Sequence, residues 1–406
     1  MRIALATVGT TGDVAPFRQL ARRLAERGHE VTAVTWPVHR STLAQQGVRV
    51  EVAGPHADPA RIASVAAEAA SRSAMDQVAV LRDYHLADGE AHYRQLRELL
   101  PGHDVVLLHG IHSLAHAAAL DADLRWASVV FDPVLLPTAT APPPGMPNLG
   151  PANRLGWWML DRAIARAGRP LAELLRRAGS EQSGVPLFRA RSPHLHMVAC
   201  SPAIVPVPAD LPRGTHVTGA WLDRRPATAP DDDLAAFLAD GAPPIVITFG
   251  SMAGTPSATI AAAVEVLLRG GQRVVLQRPA TGLPDSASLF VAPGHLDHRS
   301  LFPRAAAIVH HGGAGTTHAA CVAGVPSVVV PHVGDQRYWA MRLHRLGVAP
   351  EPQPVNQLQA DRLADAALAT GTDRPMREAA RRLAERMAAE DGLGTAVRLL
   401  EELARA

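Results

Sequence analysis

The chain has 406 residues, too many for one ordinary hydrophobic core, so two domains are the default reading. Its 40 basic and 38 acidic residues leave a net charge of +2, too small a field to suggest a nucleic-acid partner. Every basic residue is arginine, which removes lysine-based phosphate loops, Schiff bases and cofactor attachment, and two cysteines, Cys200 and Cys321, exclude a disulfide framework or a cysteine-rich metal site.

A hydrophobic content of 47% supports globular folding. The N-terminal run has no signal-peptide layout, and no apolar stretch nears the ~20 residues that span a bilayer. A cytoplasmic enzyme is the expectation.

In chain order, residues 2–8 read as a buried strand and Gly9-Thr10-Thr11-Gly12-Asp13 as a polar turn. From Ala15, the apolar positions Phe17, Leu20 and Leu24 repeat at helical spacing until Gly28. Strands follow at 31–35 and 49–52. This β-α-β order predicts a parallel, doubly wound sheet. Residues 58–100 are Ala-rich with helical periodicity, stopped by Pro101. A strand at 104–108, a helix at 113–120 and a strand at 126–130 continue the pattern.

Residues 133–151 form a long proline-rich loop, of the sort that often binds or covers a ligand. The helical stretch 155–177 follows. Trp157 and Trp158 at its start either pack in the core, wall an acceptor pocket or touch a membrane. Short strands are expected at 195–200 and 215–218, then a Pro/Asp/Arg-rich linker at 221–231. A second β-α-β series opens at 244–249, with strands at 273–277 and 289–292. Residues 376–405 are helical with scattered charges.

The most informative stretch is 306–339. A buried strand at 306–309 runs into His310-His311-Gly312-Gly313-Ala314-Gly315, which cannot continue it. Thr316-Thr317 are expected to cap a helix over roughly 318–323, ended by Gly324, before a strand at 327–330 closed by Pro331. Bare N–H groups at a helix N-terminus behind a glycine turn suit a phosphate, and His311 can add a donor. Asp335-Gln336 falls past the next strand, on the same sheet edge as the glycine turn. A carboxylate beside an amide suits vicinal hydroxyls. Phosphate plus polyol spells a nucleotide-sugar.

HHGGAGTT (310–317) followed by GVPSVVVPHVGDQ (324–336) closely resembles the donor-binding signature of the GT-B, family-1 glycosyltransferases, on the branch of bacterial natural-product and sterol enzymes. The resemblance implies an α/β fold of two doubly wound, Rossmann-like parallel-sheet domains facing across a cleft. It implies an acceptor domain over 1–220, a linker over 221–231 and a donor domain over 232–385, with a last helix near 386–406 packing back on the first domain. His311, Gly313, Ala314, Gly315 and Thr316, with Ser251 after the first strand of the second half, would hold the diphosphate. The loop at 294–298 would face the nucleobase, through main chain near Leu296 and through His298. Asp335 and Gln336 would bind the sugar.

GTTGDVAPF (9–17) is similar to the GSRGD-type start of the glycopeptide and sterol branches, where the aspartate is the proposed base. Asp13 is therefore the expected catalytic base, with an N-cap for a helix starting at Val14 as its purely structural alternative. A carboxylate is a weak base at neutral pH, but it can take the proton late, as the new C–O bond forms. His109 occupies the place where histidine-based branches carry an orienting aspartate. That departs from the family pattern and leaves His109 to relay a proton, line the acceptor pocket or pack.

The expected reaction is inverting, metal-independent transfer of a hexose, glucose or a deoxysugar, from a UDP- or TDP-sugar to a hydroxyl of a lipophilic small molecule. No cofactor is expected. A peripheral membrane contact, and either a monomer or a homodimer, are compatible with the sequence. His109, His112 and His116 could suggest zinc, but no partner ligand lies at motif spacing and HExxH is absent. There is no GxSxG elbow and no GxGxxG fingerprint. The rivals are a nucleotide-sugar epimerase of the same architecture and a non-catalytic auxiliary protein that activates a partner enzyme.

Overall fold

The structure is a computed structural model. It describes residues 1–56, 58–70, 72, 74–144, 146–182, 184–250, 256–277, 282–292, 294 and 296–406. Ser251 lies outside the described residues.

Two compact units divide the chain: residues 1–202, 206–221 and 391–406 form the first, and residues 203–205 and 222–390 the second. The first is built on seven strands: β1 (Arg2–Ala6), β2 (Glu30–Thr35), β3 (Val48–Val52), β4 (Val105–His109), β5 (Trp126–Val130), β6 (His196–Val198) and β7 (Thr215–Val217). Their order is β3-β2-β1-β4-β5-β6-β7. Every pairing is parallel, with Ile3 beside Val31 on one flank and beside Val105 on the other. The second unit carries β8 (Ile245–Thr248), β9 (Val274–Gln277), β10 (Leu289–Ala292), β11 (Ala307–His310) and β12 (Ser327–Val329), in the order β10-β9-β8-β11-β12, again parallel.

Both sheets are apolar on both faces, as parallel sheets covered by helices must be. Ile3, Leu5 and Leu107 point into one core of the first unit, and Ala4, Val106 and Leu108 into the other. Ile247 and Val309 against Val246 and Ile308 repeat the alternation in the second unit. The helix Thr11–Glu26 buries Val14, Phe17, Leu20 and Leu24 on one face. Truncating a fully buried ring such as that of Phe17 costs about 3–5 kcal/mol.

The helix Gly392–Arg405 packs in the same core, through Ala396, Val397 and Leu400. Its Glu401 is clasped by His29 at 2.9 Å and Arg27 at 3.0 Å. Burial pushes the Glu401 carboxyl up, but these partners more than reverse it and hold the group below its ordinary range.

Several boundaries differ from the sequence expectation. Residues 58–100 form three helices, Pro59–Ala70, Ala74–His85 and Gly89–Leu99, and residues 155–177 resolve into Asn153–Ala167 and Arg169–Arg177. The C-terminal stretch likewise breaks into Arg374–Ala388 and Gly392–Arg405. The proline-rich loop is pinned from behind, because the Trp157 indole N–H donates to the carbonyls of Thr138 and Ala141, each at 2.9 Å. Trp157 is thus a buried anchor, whereas its neighbour Trp158 is 54% exposed. Among the described residues, no helix is long and apolar enough to cross a membrane.

Candidate active site

In an open parallel sheet, ligands bind beyond the carboxyl ends of strands where the strand order reverses. Here that happens between β1 and β4 and again between β8 and β11. The first point gathers the turn 9–13 and His109; the second gathers Gly250 and the turn 310–313.

In the first unit the helix begins at Thr11, earlier than its apolar repeat suggests, so Asp13 lies inside the first turn and does not cap it. Thr10 is the N-cap, and Asp13 Oδ2 reaches back to accept from the Thr10 backbone N–H at 2.7 Å and its hydroxyl at 2.8 Å. Gly9 has φ +116°, and a Cβ there would lie 2.5 Å from Asp13 Oδ2. Only glycine lets the strand turn so close to that half-buried carboxylate.

Four further titratable groups surround this turn. His39 Nε2 donates to the Gly9 carbonyl at 2.8 Å. His109, the last residue of β4, is buried among the rings of Phe17 and Phe131, at 5.6 and 5.1 Å. Its Nδ1 faces the Val8 carbonyl at 3.3 Å. A carbonyl only accepts, so Nδ1 carries the hydrogen and Nε2 of the neutral ring keeps its lone pair. Burial lowers the His109 pKa, while the charge of Asp13 and the Val8 bond oppose the shift. His85 is likewise lowered by burial and likewise feels Asp13.

Asp132, just past β5, has its carboxyl pushed up to about 6, first by burial and also by the charge of Asp13, against the pull of a bond from the Val134 N–H. Sequence reading ended the strand at 130 and began the proline-rich loop at 133, so Asp132 fell between the two. Its one signal was position: an acidic residue ending a strand on the same sheet edge as Asp13. His39 and His85 carried no such signal.

His112 and His116 are not gathered with His109 around a common centre. The Nδ1 of His112 accepts from the Ala115 N–H at 3.4 Å, and the His116 ring packs on Trp126 at 4.7 Å. Among the described residues, no group of three or more His, Cys, Asp or Glu could hold a metal.

In the second unit the helix behind the glycine turn runs Ala314–Val322, earlier than expected; Gly313, and not Thr316-Thr317, is its N-cap, and no side chain caps it. Ala314, Gly315 and Thr316 are then the first turn, whose N–H groups have no intrahelical partner. The His311 ring lies under this tip: a Cβ on Gly313 would sit 2.5 Å from His311 Nε2. The His311 Nδ1 is buried without a hydrogen-bond partner. Burial, with the neighbouring histidines, lowers its pKa to about 3, so the ring is neutral and offers one N–H as a dipole.

Gln336 is buried and its amide oxygen accepts from the N–H groups of His332 and Val333, at 2.8 and 3.1 Å, so it shapes the loop as well as facing it. Asp335 Oδ2 accepts from the Trp339 indole at 2.7 Å. Leu296 turns its side chain into the core, and His298 stacks on Phe302 at 4.2 Å. Gln277 ties the ends of two strands to the 294 loop, accepting from Thr248 at 3.2 Å and donating to the Gly294 carbonyl at 3.3 Å.

Residues 277–403 match the family model of the erythromycin biosynthesis protein CIII-like C-terminal domain. The chain is 34% identical to O-mycaminosyltylonolide 6-deoxyallosyltransferase of Streptomyces fradiae, covering 100% of this chain and 98% of the relative. It is 31% identical to the vancomycin aglycone glucosyltransferase of Amycolatopsis orientalis, over 86% and 85% of the two chains. Among solved structures, the glycosyltransferase VinC in complex with dTDP superposes with a TM-score of 0.69 at 22% identity, covering 100% of both chains. The chain belongs to the GT-B, family-1 glycosyltransferases of the natural-product and sterol branch, and it is a glycosyltransferase.

Proposed function

We propose that this enzyme moves a hexose, with inversion, from a TDP- or UDP-sugar to a hydroxyl of a lipophilic small molecule of the polyketide or terpenoid type. The carrying observation is the uncapped helix at Gly313 with the neutral His311 ring beneath it. N–H groups and a helix dipole aimed at one spot stabilise the charge that develops on a departing nucleoside diphosphate. A diphosphate there accords with the family resemblance, and the S. fradiae relative is by its name a 6-deoxyallosyltransferase acting on O-mycaminosyltylonolide. The dTDP bound to a structural relative favours thymidine over uridine.

In this reading the acceptor oxygen attacks the anomeric carbon as the bond to the diphosphate breaks. Its proton passes to Asp13, and a single displacement inverts the anomeric centre. Helix N–H groups carry the leaving charge, so no metal is required. Asp335 and Gln336 hold sugar hydroxyls, and main chain near Leu296 reads the base. Domain roles follow: the first unit binds acceptor and the second binds donor. Asp13→Ala tests it: sugar transfer should fall by about 10²–10⁴-fold while dTDP affinity by calorimetry stays within about a factor of two. Full transfer by that variant removes Asp13 from the mechanism, and NMR of the product's anomeric proton decides inversion.

A further inference from the structure

Next to the Asp13 turn, within the first unit, lies a small cavity lined by Val8, Trp36, His85, His92, Ser113 and Phe188, among others. Its free space is about 10 Å3, room for a single water-sized group. Four nitrogens of its lining residues are buried with no hydrogen-bond partner: Trp36 Nε1, His85 Nε2 and both ring nitrogens of His92. Trp36 and His92 are 1% and 2% exposed. Folded chains rarely strand so many polar atoms around one hole unless something fills it.

The chemistry of the missing partner can be read from the tautomers. Trp36 Nε1 can only donate. His85 Nδ1 sits 2.8 Å from the Leu81 carbonyl and must donate to it, which leaves His85 Nε2 as a bare acceptor on a neutral ring. The two rings are 5.2 Å apart. Burial keeps His92 neutral, with a pKa near 3, so it too offers one donor and one acceptor. A hydroxyl accepts from one neighbour and donates to another. With two lone pairs and one hydrogen it answers both donors and one of the two acceptors; a ketone or ether answers the donors alone, and a carboxylate leaves the acceptors facing charge.

Three features tie the cavity to the chemistry. Val8 lines it and also takes the His109 Nδ1–H, and the charge of Asp13 acts on His85. Phe188, at the rim with its ring 5.1 Å from His85, has φ +56°, a left-handed conformation that costs a bulky residue energy and persists where function needs it. Its N–H is anchored by the Ser113 hydroxyl at 2.9 Å. Gly54 packs against the same two rings: a Cβ there would lie 2.9 Å from both Trp36 Nε1 and His92 Cε1.

We propose that Trp36, His85 and His92 form a one-oxygen subsite that takes a second hydroxyl of the acceptor, not the one being glycosylated, and so sets which acceptors are accepted and how they are oriented. This rests on the reading that the first unit binds the acceptor.

The test uses the whole enzyme, TDP-glucose, a set of polyhydroxylated macrolactones, and the same lactones with single hydroxyls O-methylated. Trp36→Phe keeps the ring and deletes the donor; it should raise KM for the free-hydroxyl lactones about tenfold. KM for the analogue methylated at the recognised oxygen should match that of wild type, as should dTDP affinity. His85→Leu, at the half-buried rim, is the second variant should Trp36→Phe unfold. A second readout is independent of turnover: of the indole N–H signals, the one missing in Trp36→Phe should move with the free-hydroxyl lactone and stay still with its methyl ether. If wild type transfers sugar to the lactones but the variants lower activity on every analogue equally, or only lower Tm, the cavity holds a structural water and the subsite is wrong. If wild type neither binds nor glycosylates any lactone, the acceptor reading itself falls, and the subsite with it.

Discussion

The two units answer similar demands with different materials. At Gly313 the second unit uses backbone: bare N–H groups at a helix tip, a glycine close approach and one imidazole held neutral. Around Asp13 the first unit uses side chains: one carboxylate against the Thr10 cap, a second carboxylate raised to about 6, buried histidines at 39 and 109 and a half-buried one at 85. A backbone device binds a charge of fixed shape and has nothing to titrate. A side-chain device can move a proton and be re-cut for a new acceptor. On the proposed function, the same fold would keep the leaving-group half of the reaction apart from the acceptor half.

The largest break in that contrast should come from Asp13. Asp13→Ala and Asp13→Asn are expected to cut kcat by about 10²–10⁴-fold with nucleotide affinity intact, measured by product formation and calorimetry. A comparable loss of nucleotide affinity would mean that the carboxylate serves the donor. His311→Ala should do the converse, weakening dTDP binding by roughly tenfold, as expected for loss of one neutral hydrogen bond to an anion. Unchanged affinity would remove His311 from the donor contacts.

Asp132→Asn sharpens the claim that only the first unit titrates. Its carboxyl is raised from 3.8 to about 6, so the folded chain holds that proton more tightly than the unfolded chain. Stability from this group is greatest below the unfolded value and declines as pH rises across that window. The asparagine variant should therefore gain stability over wild type at pH 8, by at most about 3 kcal/mol, and lose the advantage near pH 4. Urea unfolding at the two pH values checks this, and a pH-independent difference would contradict it. The acid limb of the wild-type rate profile near pH 6 should move in the same variant. Smallest of all, Trp158→Ala should leave Tm unchanged, since that ring is over half exposed while Trp157 does the anchoring.

These two materials also explain what could be read from sequence. The glycine turn and helix tip are contiguous, so the run 310–317 shows them in the order in which they are built. The alternation of buried strands and helices gave the doubly wound halves for the same reason. Side-chain clusters have no such continuity: residues 39, 85 and 132 come from different elements, and each alone looks like an ordinary polar residue at a strand or helix end. Asp132 was masked by the prolines after it. The helix starts slipped because Thr10 and Gly313 begin their helices before any apolar repeat is visible, with glycine in the first turn where propensity argues against a helix.

The helix Gly392–Arg405 fills part of the first unit's core, beside Phe17 and Leu24, although the whole second unit precedes it in the chain. A ribosome delivers it after the whole second unit. The first unit is therefore the earlier to be synthesised and the later to be finished, its apolar groove open while the second unit closes. Nascent chains stopped before residue 392 should recruit chaperones through that groove, and a circular permutant that places 391–406 ahead of Met1 should shed that dependence.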